Sequence, residues 1–125
     1  MGVEVWRVED HLSMGTEASV ALWRELERVI LGFGPVSLAV SKTTVTFKGS
    51  RRGFAGARPK GDAVVGYFDL MRSLGTDDQR ITHVSPYEQR LFVHRFRLSS
   101  VQDLDAEFVG WLRDAYGVGC GAHLA

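Results

Sequence analysis

Six cations and no carboxylate fall between residues 42 and 60: Lys42, Lys48, Arg51, Arg52, Arg58 and Lys60. Such a run can hold phosphate groups, since each ammonium or guanidinium donates charge-assisted hydrogen bonds to anionic oxygen. It can equally be a solvated hairpin whose charges deter edge-to-edge strand pairing. Phe47 and Phe54 flank its turn. They could stack on nucleic-acid bases, or they could fill the core of the same hairpin. Ser41-Lys42-Thr43-Thr44 resembles the end of a phosphate loop, but the glycines before it are missing and a strand follows. That context excludes a P-loop.

His83 and His94 form a second candidate set. An imidazole in a cleft serves as a general base or a ligand; a core histidine with satisfied hydrogen bonds does neither. If a hairpin pairs Val84 with Leu91, both rings share the face of Ile81, Phe92 and Phe96, the face toward the helices. Tyr87, Arg90, Arg95 and Arg97 are a third set, able to hold an anionic small molecule or simply to form an exposed sheet face.

Other chemistries find less support. The four histidines and Cys120 show none of the usual metal-ligand spacings. Cys120 sits in a Gly-rich tail with nothing evident to lower its pKa. Ser41 and Ser85 lack a nucleophile elbow. Asp77-Asp78 and the Asp103/Asp105 pair read as a polar loop and a helix start. No cofactor is implied.

The elements that must position these groups follow from periodicity. Thr16 is a plausible N-cap, and Val20, Trp23, Leu26, Ile30 and Phe33 recur at helical spacing, predicting a helix over 17–32 closed by Gly32, Gly34 and Pro35. Val5, Trp6 and Val8 predict a lead-in packed on the body, with a helical turn near 9–12. From residue 36 the period is two. Strands are expected at 36–40, 43–48, 54–58 (with Pro59 marking an edge or an end), 63–70, 81–84 and 91–98, with a turn over 85–90. Ser100-Val101-Gln102-Asp103 has capping-box form, predicting a second helix over 101–117 and a loose tail at 120–125.

The order helix, five or six strands, helix predicts an α+β domain with an antiparallel sheet and both helices on one face. At 125 residues the chain reads as a single domain. Fifteen Lys and Arg offset fifteen Asp and Glu, which gives no general pull toward nucleic acid or membranes. A lone cysteine, the lack of a signal-type apolar run and the lack of a membrane span point to the cytoplasm.

The motifs also resemble a known bacterial family, domain of unknown function 5655. Val8–Leu12, Val40–Gly49, Arg51–Lys60, Ser85-Pro86-Tyr87, Leu91–Arg97 and Trp111–Tyr116 carry the likeness, over about residues 8–119. The resemblance implies one compact bacterial domain and transfers no activity. Lys42, Arg58 and His94 lie inside its motifs. The arrangement is also loosely similar to frataxin-like domains, which bind iron through an acidic first helix; here Glu17, Glu25 and Glu27 alternate with Arg24 and Arg28.

Three readings result. One is a non-enzymatic module binding an anionic small molecule, a nucleic acid or a protein through Lys42, Arg51, Arg52, Arg58 and His94. A second is iron handling through Glu17, Glu25, Asp77 and Asp78. A third is an enzyme with a His94-centred cleft. A membrane partner is not expected, and a monomer or a homodimer fits equally.

Overall fold

The computed structural model describes residues 5–88 and 90–124. Met1–Glu4 of the expected lead-in and Gln89 of the expected turn lie outside them. The elements are α1 (Val8–Leu12), α2 (Glu17–Leu31), β1 (Ser37–Val40), β2 (Val45–Lys48), β3 (Gly53–Lys60), β4 (Ala63–Leu70), β5 (Ile81–Tyr87), β6 (Leu91–Leu98) and α3 (Ala106–Gly119). All six strands pair antiparallel in the order β1-β2-β3-β4-β6-β5. This is the α+β architecture expected, with α2 and α3 against β3 and β4.

The period-two pattern places the core. Val45 and Phe47 of β2 pair with Ala57 and Ala55 of β3, and Ala55 pairs with Phe68 of β4, which pairs with His94 of β6. These side chains face the helices and meet Trp23, Leu26, Phe108 and Leu112, all fully buried. Phe47 and Phe54 are core residues with no exposed surface. The Trp23 indole N–H donates to the Ala57 carbonyl at 2.9 Å, tying α2 to the sheet centre.

Thr16 caps α2 as expected, its hydroxyl accepting from the Ser19 N–H at 3.3 Å. The start of the second long helix differs from expectation. Val101–Asp103 form only a 3-10 turn, and Leu104 breaks the chain at ψ 63°. The true cap is Asp105, whose carboxylate accepts from the Phe108 N–H at 2.9 Å. Asp103 instead accepts from the Ser99 N–H at 2.7 Å. One methylene shorter than Glu, it does not complete the box from Ser100.

Pro59 does not end its strand. It pairs with Val64 inside β3, beyond Ala57, the residue that pairs with Val45 at the start of β2. At that end β3 has a neighbour on one side only, where a missing N–H costs little.

The β5–β6 hairpin also corrects the expected register. Val84 pairs with His94, and Tyr87 with Leu91, so the strand runs through Ser85-Pro86-Tyr87, with Glu88 and Arg90 in turn conformation. Side chains alternate along a strand, so this odd-numbered slip separates the two histidines. His83 pairs with Arg95 on the face away from the helices; His94 stays inside.

The ends of the chain differ as well. Val5 is exposed, while Val8 packs on the core. The expected loose tail forms a 3-10 turn at Ala122–Leu124 with His123 buried, its carbonyl accepting from Arg90 at 3.2 Å.

Candidate functional site

The sheet face turned away from α2 and α3 is built in cross-strand rows. Arg58 of β3, Val65 of β4 and Arg97 of β6 form one row. Gly56, Tyr67 and Arg95 form the next, and Asp69 with Val93 the third. Strand spacing sets Arg58 and Arg97 about 10 Å apart, and four strand steps put Asp69 about 13 Å from Val65. A cavity of about 610 Å³ opens on the first two rows, bordered by Thr43, Thr44, Arg58, Tyr67, Arg95 and Arg97. A second, of about 530 Å³, adjoins it across Tyr67 and Arg95 and reaches Arg52, Asp69, Tyr87 and Glu88.

Gly56 shapes the floor. A β-carbon there would lie 2.5 Å from Tyr67 Cε1. The ring therefore lies over Gly56 of β3. Burial is the main reason the Tyr67 phenol is pushed above its ordinary pKa.

Asp69 is the buried charge of this face, its side chain 3% exposed. Arg52 Nη2 donates to its Oδ2 at 3.1 Å, and Arg52 Nη1 to Glu88 at 3.1 Å. The guanidinium lies 5.5 Å from the Tyr87 ring centre. Oδ1 is buried with no hydrogen-bond partner among the described residues. Burial pushes the carboxyl up to about 6; Arg52 opposes that shift and Glu88 adds to it. Arg58, Arg95 and Arg97 contrast with this pair: among the described residues no guanidinium of the three forms an ion pair or a hydrogen bond.

The residues singled out in the sequence separate. Arg58 lies between the large cavity and a smaller hollow of about 330 Å³ shared with Trp6, His11 and Lys42. Arg52 reaches the second cavity, whereas Arg51 is exposed at the outer turn, beside Gly121. His94 lies on the opposite, helix-facing side. It stacks on Phe68 at 5.2 Å. Its Nε2 accepts from the Leu74 N–H at 3.0 Å and its Nδ1–H donates to the Phe92 carbonyl at 3.0 Å. Both nitrogens are thus occupied in a neutral ring, and burial lowers the pKa.

Asp69 was missed in the sequence reading. Its signal was a single carboxylate within the apolar run Ala63–Leu70. Cys120 also differs from expectation: a backbone hydrogen bond with Ser50 lowers its thiol pKa.

The model of the family described as domain of unknown function, DUF5655, matches residues 8–119. The chain belongs to this family. No curated protein and no solved structure matches it, so the frataxin-like comparison has no structural neighbour behind it. In this DUF5655 chain the acidic residues considered for iron are dispersed. Glu25 pairs with Arg28, and Asp78 is held at about 2 by hydrogen bonds from Arg80. Among the described residues no three His, Cys, Asp or Glu side chains come together as a metal site. No helix of the DUF5655 fold is long and apolar enough to cross a membrane, among those residues.

Proposed function

We propose that the open sheet face binds an anionic ligand, making this chain a binding module rather than a catalyst. One observation carries the reading. Arg58, Arg95 and Arg97 border a single cavity of about 610 Å³, and no carboxylate among the described residues neutralises them. Converging guanidinium groups raise the local potential and match the oxygens of phosphate or carboxylate in paired hydrogen bonds. The hydroxyls of Thr43 and Thr44 on the same rim add neutral donors. Lys42 supplies charge from the adjoining hollow, and Arg52 from the far end.

Calorimetric titration with inorganic pyrophosphate, at low and moderate salt, tests the reading. Binding is expected to weaken with salt, as exposed charges are screened. Arg58→Glu and Arg97→Glu should each lower affinity at least tenfold. Unchanged affinity in both variants would mean that the anion sits elsewhere.

A further inference from the structure

We infer that this face is a nucleotide site, with the base stacked on Tyr67, a base N–H donated to Asp69 Oδ1, and the phosphate between Arg58 and Arg97. The inference rests on the anion-binding reading and adds what the rest of the ligand must be.

Three independent features of the rows select that chemistry. The first is the lone acceptor. Asp69 Oδ1 is buried and unpaired among the described residues, on a side chain 3% exposed that borders an open cavity. A buried carboxylate oxygen left without a donor costs free energy, and native structures seldom keep one without a use. Its other oxygen is already held by Arg52, so the vacant position suits an N–H donor and repels a second anion.

The second feature is the platform. Tyr67 lies between the arginine row and the Asp69 row. Gly56 lets its ring lie across the neighbouring strand instead of standing upright. Tyr67 is half-buried and lines both cavities, and aromatic side chains in such grooves stack on nucleobases. Tyr87 borders the same cavity, its ring covered on one side by Arg52.

The third is distance and polarity. Arg58 and Arg97 sit at one end of the trough and the buried acceptor at the other, about 13 Å of strand apart, with Arg95 between them and Arg52 already engaged by the far oxygen of Asp69. Inorganic phosphate would occupy only the cationic end. A mononucleotide carries its phosphate on the 5′-oxygen of a ribose and, beyond the sugar, a planar base whose N–H edge points away from it, in the same order as Arg58/Arg97, Tyr67 and Asp69. A phosphosugar has the anion but no aromatic ring to stack on Tyr67.

The test is calorimetric titration of the full chain with GMP, ribose 5-phosphate and inorganic phosphate. GMP should bind at least tenfold more tightly than ribose 5-phosphate. Asp69→Asn should abolish that preference while leaving ribose 5-phosphate affinity within twofold. A wild-type readout guards against a variant that does not fold: GMP should shift the Tyr67 ring-proton resonances upfield, and ribose 5-phosphate should not. Equal affinity for GMP and ribose 5-phosphate, an Asp69→Asn protein that keeps the preference, or unmoved Tyr67 resonances would overturn the nucleotide assignment and leave the anion reading standing. Binding of none of the three probes would overturn both.

Discussion

Tyr67 and Gly56 face each other across β3 and β4, and the ring of one occupies the space where the other would carry a side chain. Gly56 has no positive φ, so space rather than backbone conformation decides what the position tolerates. Gly56→Ala gains roughly 0.4–1 kcal/mol by stiffening the unfolded chain. Overpacking against the Tyr67 ring and the Val45 carbonyl, 3.2 Å from the added carbon, costs roughly 1–3 kcal/mol. Net destabilisation of about 1 kcal/mol is expected in urea unfolding. The cost should shrink in a Tyr67→Ala background, and an equal cost there would place the clash in the backbone.

Asp69 sets a pH dependence of opposite sign to an ordinary ion-paired carboxylate. Its folded pKa, about 6, lies above the ordinary carboxyl value of 3.8. The folded state therefore holds its proton longer than the unfolded chain. This contribution is fully present below about pH 4, falls as pH rises toward 6, and is absent above. The titratable and charged groups around the carboxyl are Arg52, Arg95, Glu88, Tyr67 and Tyr87. Asp69→Asn should remove the fall, changing the stability difference between pH 4 and pH 7.5 by on the order of 2–3 kcal/mol relative to wild type. Parallel profiles would show that Asp69 ionises normally in the fold.

His94 acts in the other direction. Its pKa is lowered by burial from 6.5, so its contribution is present above pH 6.5 and lost as pH falls through the folded value. Protonating Nε2 removes the acceptor that holds the Leu74 N–H. Amide exchange at Leu74 should report an opening free energy that drops on acidification. His94→Leu should cost about 1–3 kcal/mol, because it leaves the Leu74 donor unpaired. Unchanged exchange at Leu74 in that variant would show that the segment is held by other contacts.

Arg80 anchors the segment between β4 and β5 to α3. Its guanidinium binds Asp78 at 2.8 Å, Asp105 at 2.8 Å and Glu107 at 3.0 Å, donates to the Asp103 carbonyl at 2.8 Å, and lies 5.0 Å from the Trp111 ring centre. The carboxylates are partly in water, so each pair alone is worth little; one rigid fork serving four acceptors and a ring is worth more. Arg80→Lys keeps the charge and loses the fork. It should cost about 1 kcal/mol, and Arg80→Ala about 2 kcal/mol, in thermal unfolding. A neutral Arg80→Ala would reduce this cluster to surface decoration.

Much of the architecture was legible in local pattern. The helical stripe from Val20 to Phe33 and the alternation through Val45, Phe47 and Ala55 announce which faces are buried, because burial of apolar surface dominates folding and repeats with the period of the element. The Thr16 cap is equally local. By itself the sequence determined the helix–sheet–helix order and the concentration of cations in residues 42–60. Three matters needed the tertiary structure. The hairpin register was decided by an unusual turn: Glu88 and Arg90 adopt positive φ without glycine, so no turn signal marks them, and Pro86 suggested an earlier end. The helix starts at Asp105, whose carboxylate caps the Phe108 N–H and also pairs with Arg80, distant in sequence. The assembly of Arg58 with Arg95 and Arg97, and of Arg52 with Asp69, was decided by strand order. Pairing across a sheet joins residues far apart in the chain through hydrogen bonds that every backbone can make. Side-chain pattern tells which face a residue takes, whereas its neighbours on that face are set only when the strands dock.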